Sequence, residues 1–167
     1  MARKKAEIIS LANSGATITL NKAEMKLFLP HRRKALKLDG VNFCQTNETC
    51  IIGFKKIGEK DPDLDGHFDT KPVYPGVSIA ECANLAAAML ILLTNENLIG
   101  YPTVVDFHCK CKRPVYPGDD ITIDVDLVKK EQHRGQAFYS FFYVVNKQLP
   151  NGHIKAVADG TITGTAT

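Results

Sequence analysis

The most constraining feature of this sequence is a strongly apolar segment near its middle, residues 77–93. The segment is slightly short for a bilayer and contains Ser78, Glu81 and Asn84, so it favours a core helix over a membrane span. A helix that is apolar on nearly every side must also be covered on nearly every side. We therefore expect a helix from Gly76 to about Leu93, with the rest of the chain wrapped around it.

The segments on both sides of this helix have the composition of β-strands. In ITIDVDLV, apolar and polar residues alternate, as expected of a strand with one solvated face. Strands are predicted at TVVDFHCKCKR, DDITIDVDLVKKE, QAFYSFFYVVNK and HIKAVADGTITGT, joined by the turn sequences YPGD, HRG and LPNG. Earlier in the chain, VNFCQ and TCIIGFKKI flank TNE and predict a hairpin. The predicted class is α+β, with about six antiparallel strands around one helix.

The chain is predicted to form a single domain over residues 1–167, because it has no internal repeat and no long linker. We expect residues 1–18 to be a flexible or helical N-terminal extension that begins with a frayed basic segment. After it, Asn21 and Glu24 have the spacing of a capping box, which predicts a short amphipathic helix that ends at Pro30.

The cysteines indicate a reduced, cytoplasmic protein. There are five, an odd number, scattered through predicted strands and a helix, and no N-terminal signal peptide is evident. Cys109 and Cys111 form a C-x-C pair that could ligate a metal, but no second ligand cluster accompanies it. Two small residues on one face of a strand explain the pair, so we predict no metal site.

The charge of this chain is mildly basic, with a formal net charge of +3. Basic residues occur in short clusters that are typical of solvated surface, although they could also form a docking face for an acidic partner. The sequence has no nucleic-acid-binding motif and no aromatic residues interleaved with these clusters, so we expect no nucleic-acid partner. The clusters are Arg32 to Lys34, Lys55 with Lys56, Lys110 with Lys112 and Arg113, and Lys129 with Lys130.

Two titratable residues and a helix start lie close together in the sequence. Glu81 stands in the apolar helix, where it must face either a solvated edge or a pocket. His67 precedes the helix and, taken alone, would read as a solvated loop histidine. The helix start at Gly76 offers backbone amides without intrahelical partners, and glycine leaves them accessible. Together these groups could supply a base, an acid and a donor to a developing oxyanion.

Three separated blocks of the sequence have a distinctive order. The first is LPHR at residues 29–32 with LDG at 38–40, and the third is KRPVYPGD at 112–119. The second is GHF at 66–68, followed by PVYPGV at 72–77 and by Glu81, fourteen residues after His67. Together they resemble the β-hydroxyacyl-acyl carrier protein dehydratases of the FabZ type, which have the hot-dog fold. The resemblance covers about residues 19–163.

The resemblance implies syn loss of water from a (3R)-hydroxyacyl thioester carried on the phosphopantetheine of acyl carrier protein, giving the trans-2-enoyl thioester. The reaction would belong to fatty acid or related, polyketide-like, acyl-chain biosynthesis and would need no cofactor. His67 would take the C2 proton, Glu81 would assist departure of the C3 hydroxyl, and the Gly76 amide would polarise the carbonyl. A glutamate here leans towards dehydration without isomerisation. The tunnel or its support would include Phe68, Tyr74, Pro75, Val77, Leu85 and Cys111.

The resemblance also implies an assembly. In the family, the histidine of one protomer faces the carboxylate of the other, so the active unit is a homodimer, commonly built into a hexamer as a trimer of dimers. The basic clusters would suit an acidic acyl carrier protein.

The chain departs from the family pattern at several positions. Asp69 and Thr70 replace Pro-Gly, and Leu85 replaces a glutamine. Tyr74 replaces a methionine, Gly40 replaces an arginine, and Cys111 replaces an aromatic residue. Either the enzyme acts on an unusual acyl chain, or the fold serves as a non-catalytic acyl-thioester-binding or partner subunit, or as a thioesterase. Because the histidine and carboxylate have the dehydratase spacing, the sequence favours the dehydratase.

Overall fold

A long helix lies against a seven-stranded antiparallel sheet in the computed structural model, which describes residues 2–44, 49–96, 98 and 100–166. The helices are α1 (Ala2–Asn13), α2 (Lys22–Met25) and α3 (Gly76–Thr94). The strands are β1 (Thr17–Asn21), β2 (Gly40–Cys44), β3 (Cys50–Lys56), β4 (Thr103–Cys111), β5 (Asp120–His133), β6 (Gln136–Gln148) and β7 (Ile154–Ala166). Short 3₁₀ helices occupy Arg33–Ala35 and Pro62–Leu64.

Helix α3 is the centre of the core, as the apolar segment predicts. It is long and apolar enough to cross a membrane, but 72% of its most apolar window is buried inside the fold. Small residues let the sheet approach it closely: a Cβ on Gly53 of β3 would lie 3.4 Å from the Cβ of Ala86. The helix therefore buries its apolar surface against the protein's own sheet.

The strand order is β1-β2-β3-β5-β6-β7-β4, and every neighbouring pair is antiparallel. Strands β2 and β3 form the predicted hairpin, while its predicted turn TNE lies outside the described residues. The sheet has one strand more than the expected six, because β1 pairs with β2 from Thr17 opposite Cys44 to Asn21 opposite Gly40. The segment TITLN is short, and its role as a strand depends on this distant partner.

Helix α2 has the predicted start but is shorter than predicted. Asn21 Oδ1 accepts from the amides of Ala23 and Glu24, and Glu24 Oε2 accepts from the Asn21 amide, which completes the capping box. The α-helix ends at Met25 rather than at Pro30. Bonds such as Leu27 N–H to Glu24 O, 2.9 Å, span only three residues, so the chain continues as tight turns.

The basic cluster of Lys55 and Lys56 contains one buried lysine. Lys55 on β3 is 6% exposed and forms an ion pair with Asp61, with 2.7 Å between Nζ and Oδ2. Its neighbour Lys56 is exposed. Side chains alternate between the two faces of a strand, so a pair of adjacent lysines in β3 must send one of them inward.

Candidate active site

His67 lies in the loop between the second 3₁₀ helix and α3. Its amide donates to Leu64 O at 3.0 Å, and its carbonyl accepts from the Val73 amide at 2.7 Å. The ring Nδ1 lies 2.7 Å from Val73 O. A carbonyl oxygen can only accept, so Nδ1 must carry the hydrogen in this contact. In the neutral imidazole, Nε2 is then the atom with the free lone pair, which suits the ring to accept a proton there.

The start of α3 lies beside His67. Pro75 O accepts the first intrahelical bonds, from the amides of Ser78 and Ile79. The amides of Gly76 and Val77 precede those bonds, so they lie at the positive end of the helix. A Cβ on Gly76 would come within 2.6 Å of Cys111 Sγ, so any larger residue there would have to displace that thiol.

These groups share one open cleft of about 300 Å³. Its lining residues are His67, Val73, Tyr74, Gly76, Ile79, Cys111, Lys112, Arg113 and Pro114. The cleft therefore brings together four of the predicted site residues: the histidine, the glycine, Tyr74 and Cys111. Its geometry allows a carbonyl oxygen to meet a helix-start amide near an imidazole.

Glu81 lies in a different cavity, of about 620 Å³. It is half-buried on the face of α3 that also carries Asn84 and Ala88, and Asn84 Nδ2 donates to its Oε2 at 3.4 Å. Leu85 lines the same cavity, together with residues 101–107 at the start of β4. The cavity of Glu81 does not include His67, and the cleft of His67 does not include Glu81.

The other predicted site residues take different positions. Phe68 is exposed and stacks on the His67 ring, with 4.4 Å between ring centroids. Val77 is also exposed, and Pro75 is the N-cap of α3. Tyr74 is buried, and its hydroxyl donates to Asp63 Oδ2 at 3.1 Å. Phe68 and Val77 thus face outward from a single chain, while Tyr74 lies beneath the cleft.

Two polar residues that sequence reasoning did not assign to the site line the cavity of Glu81. They are His31 and Asn84. His31 Nδ1 and Asn84 Oδ1 are buried, and neither has a hydrogen-bond partner within the described part of the chain. Such atoms are rare in folded proteins, so they are available to a water molecule or a substrate group. The sequence does signal Asn84, because residues three apart on a helix lie on the same face as each other. It gives no such signal for His31, which belongs to a segment distant from Glu81 in the chain.

The two thiols of the C-x-C pair lie close together on β4. Cys109 Sγ and Cys111 Sγ lie 3.9 Å apart on one face of the strand. Burial raises the pKa of the Cys111 thiol, and the adjacent Cys109 raises it further. In the ranges that the structure describes, no group of three or more His, Cys, Asp or Glu side chains could hold a metal ion.

Comparisons with solved structures identify the fold. Zebrafish thioesterase superfamily member 2 superposes with a TM-score of 0.60 at 20% identity, covering 87% of this chain and 95% of that one. A hot-dog-like protein from Thermanaerovibrio acidaminovorans gives a TM-score of 0.55 at 16% identity, covering 71% and 81%. At these identities the likeness shows a shared hot-dog fold alone.

Sequence comparisons identify the family. The family model of the FabA-like domain matches residues 29–149 of this chain. The 3-hydroxyacyl-acyl carrier protein dehydratase FabZ of Vibrio cholerae is 33% identical over 126 residues, 73% of this chain and 80% of the relative. The FabZ of Coxiella burnetii (strain RSA 331 / Henzerling II) is 32% identical over 134 residues, 78% of this chain and 92% of the relative. This chain therefore belongs to the FabZ-type 3-hydroxyacyl-acyl carrier protein dehydratase family.

Proposed function

We propose that this protein is a hydro-lyase that removes water from a (3R)-hydroxyacyl thioester on acyl carrier protein to give the trans-2-enoyl thioester. The pathway would be fatty acid or related acyl-chain biosynthesis. The observation that carries the proposal is the orientation of His67: Nδ1 is held by Val73 O at 2.7 Å, in a cleft shared with the Gly76 helix start. Membership of the FabZ-type family supports the same reaction.

The chemistry uses three groups of the protein. The thioester carbonyl accepts from the Gly76 amide, and His67 Nε2 takes a proton from C2. The electron pair left at C2 delocalises onto the carbonyl oxygen, where the helix-start amide stabilises the charge. Glu81 gives a proton to the C3 hydroxyl, the C3–O bond breaks, and water leaves as the C2–C3 double bond forms. Proton return from His67 to Glu81 through solvent restores both groups.

The active unit in this proposal is a homodimer. His67 and Glu81 line separate cavities, and both cavities are bordered by β4. Among the strands that the structure describes, β4 is at the end of the sheet and pairs with β7 alone. The exposed apolar residues along or near this edge are Phe68, Val77, Tyr101, Val104, Val105 and Phe107. An unpaired edge with such residues is a natural association surface. A second copy across β4 would cover them and could place Glu81 of one chain at the His67 cleft of the other.

The acyl chain would run past Glu81 into the core. The cavity of Glu81 shares Asn84, Ala88 and Val104 with a narrower space between α3 and the sheet. That space has a volume of about 20 Å³ and is lined in part by the apolar side chains of Ile91, Phe141 and Ile162. Its apolar lining favours burial of an acyl chain, which would have to displace these side chains in order to enter.

The partner in this proposal is a cytoplasmic acyl carrier protein that delivers its substrate on phosphopantetheine. Lys112 and Arg113 line the His67 cleft. Lys112 is paired with Asp159, whereas Arg113 donates to the neutral carbonyl of Ala156, so the charge of Arg113 would favour an acidic partner or a phosphate at the mouth of the cleft. The acid–base steps use only side chains and a backbone amide, so the proposal includes no cofactor. We further propose that dimers assemble into a trimer of dimers.

The test is a dehydration assay on 3-hydroxyacyl thioesters of several chain lengths, followed by enone absorbance. His67→Ala and Glu81→Gln should each lower the rate by about two orders of magnitude or more, as is usual for a general base or acid. Undiminished turnover in either variant would refute the assigned role. Release of free thiol at a comparable rate would instead indicate a thioesterase, and a folded but inert wild type would indicate a non-catalytic subunit.

A further inference from the structure

A cluster of charged and polar side chains lies beneath the loop that carries His67. Lys37 forms an ion pair with Asp63, and both side chains are only 14% exposed. Beside it, Lys55 pairs with Asp61, with side-chain exposures of 7% and 8%. Lys55 Nζ also lies 5.4 Å from the centroid of the Tyr74 ring. Two ion pairs buried this deeply need a reason, because a buried pair is costly to desolvate.

Asp63 is the centre of this cluster. Its Oδ2 accepts from Lys37 Nζ at 2.5 Å and from the Tyr74 hydroxyl at 3.1 Å. Burial acts to raise the pKa of Asp63, but hydrogen bonds from Lys37 and Ser78, the charge of Lys37 and the Tyr74 hydroxyl together hold it below its ordinary value. The carboxylate is therefore ionised and acts purely as an acceptor. Burial raises the pKa of Tyr74, so its hydroxyl keeps its proton and donates.

The bond between Asp63 and Tyr74 joins the two ends of the loop that contains His67. Leu64, next to Asp63, accepts from the His67 amide through its carbonyl oxygen. Val73, next to Tyr74, supplies the carbonyl that faces the ring Nδ1. The two residues that hydrogen-bond His67, Leu64 and Val73, are therefore the sequence neighbours of Asp63 and Tyr74, which close the loop.

The closed loop is also attached to two segments that flank strands, the connection between β4 and β5 and the residues before β2. The Tyr74 amide donates to Val115 O at 2.8 Å. Lys37 precedes β2, and the Asp39 amide donates to Phe54 O of β3 at 3.0 Å. Through Lys37 and Tyr74, Asp63 therefore connects the His67 loop to these two segments.

We propose that Lys37, Asp63 and Tyr74 are positioning residues for His67. Lys37 holds the Asp63 carboxylate, Asp63 holds the Tyr74 hydroxyl, and the resulting closure keeps Val73 O against Nδ1 and Nε2 towards the cleft. The effect on turnover rests on the proposed role of His67 as the base, while the effect on its ring orientation does not. The hydrogen bonds of a charged cluster fix the orientation of the side chains that they join, which apolar packing alone does not do.

The first experiment compares Tyr74→Phe and Asp63→Asn with wild type. Tyr74→Phe removes one hydroxyl and Asp63→Asn removes the charge at similar volume. We expect kcat to fall about tenfold with KM little changed, because a misoriented base affects the chemical step more than binding. The ¹⁵N signals of the His67 ring should move from the Nδ1–H tautomer towards a mixture. Lys37→Arg, which keeps the charge, should retain more of both properties than Lys37→Met.

The matched control is Asp119→Asn. Asp119 pairs with Lys147 at 2.7 Å, with side-chain exposures of 22% and 10%. Its Oδ2 also accepts from the Tyr116 amide, and within the described part of the chain its side chain is hydrogen-bonded neither to the His67 loop nor to Tyr74. This variant should lower thermal stability while leaving the His67 ring signals as in wild type.

The proposal is overturned if Tyr74→Phe folds with wild-type kcat and an unchanged His67 tautomer, or if Asp119→Asn changes the tautomer equally. Should Asp63→Asn fail to fold, Tyr74→Phe decides the matter alone. Wild type without dehydratase activity would refute the proposed function, and the tautomer measurement would still test the positioning role.

Discussion

At the scale of single residues, two carboxylates of this chain, Glu81 and Asp63, have opposite surroundings. Glu81 is half-buried at a cavity, and Asn84 is its hydrogen-bond neighbour. Asn84 thus supplies a polar group next to the acid, which the apolar side chain of Leu85 cannot do. Asp63 is instead held by Lys37 and Tyr74 beneath the surface. The first arrangement leaves a carboxyl available to a ligand, and the second uses one to hold a loop.

Asp63 should make stability depend on pH. Its pKa is lowered in the folded state, so its contribution is fully present above its unfolded pKa of about 3.9 and is lost as the pH falls through the lower folded pKa. At neutral pH, Asp63→Asn should cost about 3 kcal/mol of unfolding free energy, because Lys37 is left without its partner. Urea unfolding should show this difference shrinking once the pH is below about 4. A difference that stays constant down to acid pH would contradict the assignment.

At the scale of secondary-structure elements, the sequence predicted those with strong local signals. The apolar run of α3, the Asn21–Glu24 capping box and the alternation in β5 each depend on neighbours in the chain. Strand β1 was missed because its pairing with β2 is a long-range contact. The end of α2 was missed because its last turns tighten after Met25, where the apolar pattern still continues.

Strand β4 should form the dimer interface. Val105 on this strand is 54% exposed, and Val105→Lys would place a charge in the middle of the proposed contact. We expect this variant to be monomeric in analytical ultracentrifugation and to lose most dehydratase activity. Val128→Lys on β5 is the control, since Val128 is 68% exposed on another strand, and it should change neither property. A Val105→Lys protein that remains dimeric would place the interface elsewhere.

At the scale of the whole molecule, the candidate site is divided. His67 and Gly76 border one cleft and Glu81 another, although all three belong to a single short stretch of sequence. A helix presents successive residues to different sides, so closeness along the chain does not bring the start of α3 and Glu81 to one surface. In the proposed homodimer, a second chain would complete the site.

Mixing two inactive variants should test this division. If the site spans a dimer, a heterodimer of His67→Ala and Glu81→Gln chains has one site with both residues intact and one with neither. Random mixing after co-expression should therefore restore about a quarter of wild-type activity, since half of the dimers carry one intact site of two. Activity that stays at the level of the separate variants would show that His67 and Glu81 act within one chain.

The sequence by itself determined the class of the fold, the central helix and the candidate acid, base and amide donor. These follow from periodicity, capping and motif spacing, which are local properties of a chain. Only the tertiary structure decided that Lys55 is buried, that His31 and Asn84 border the acid, and that Lys37, Asp63 and Tyr74 meet beneath His67. Such contacts join residues distant in the chain, and their partners are chosen by which surfaces the sheet brings together when it covers α3.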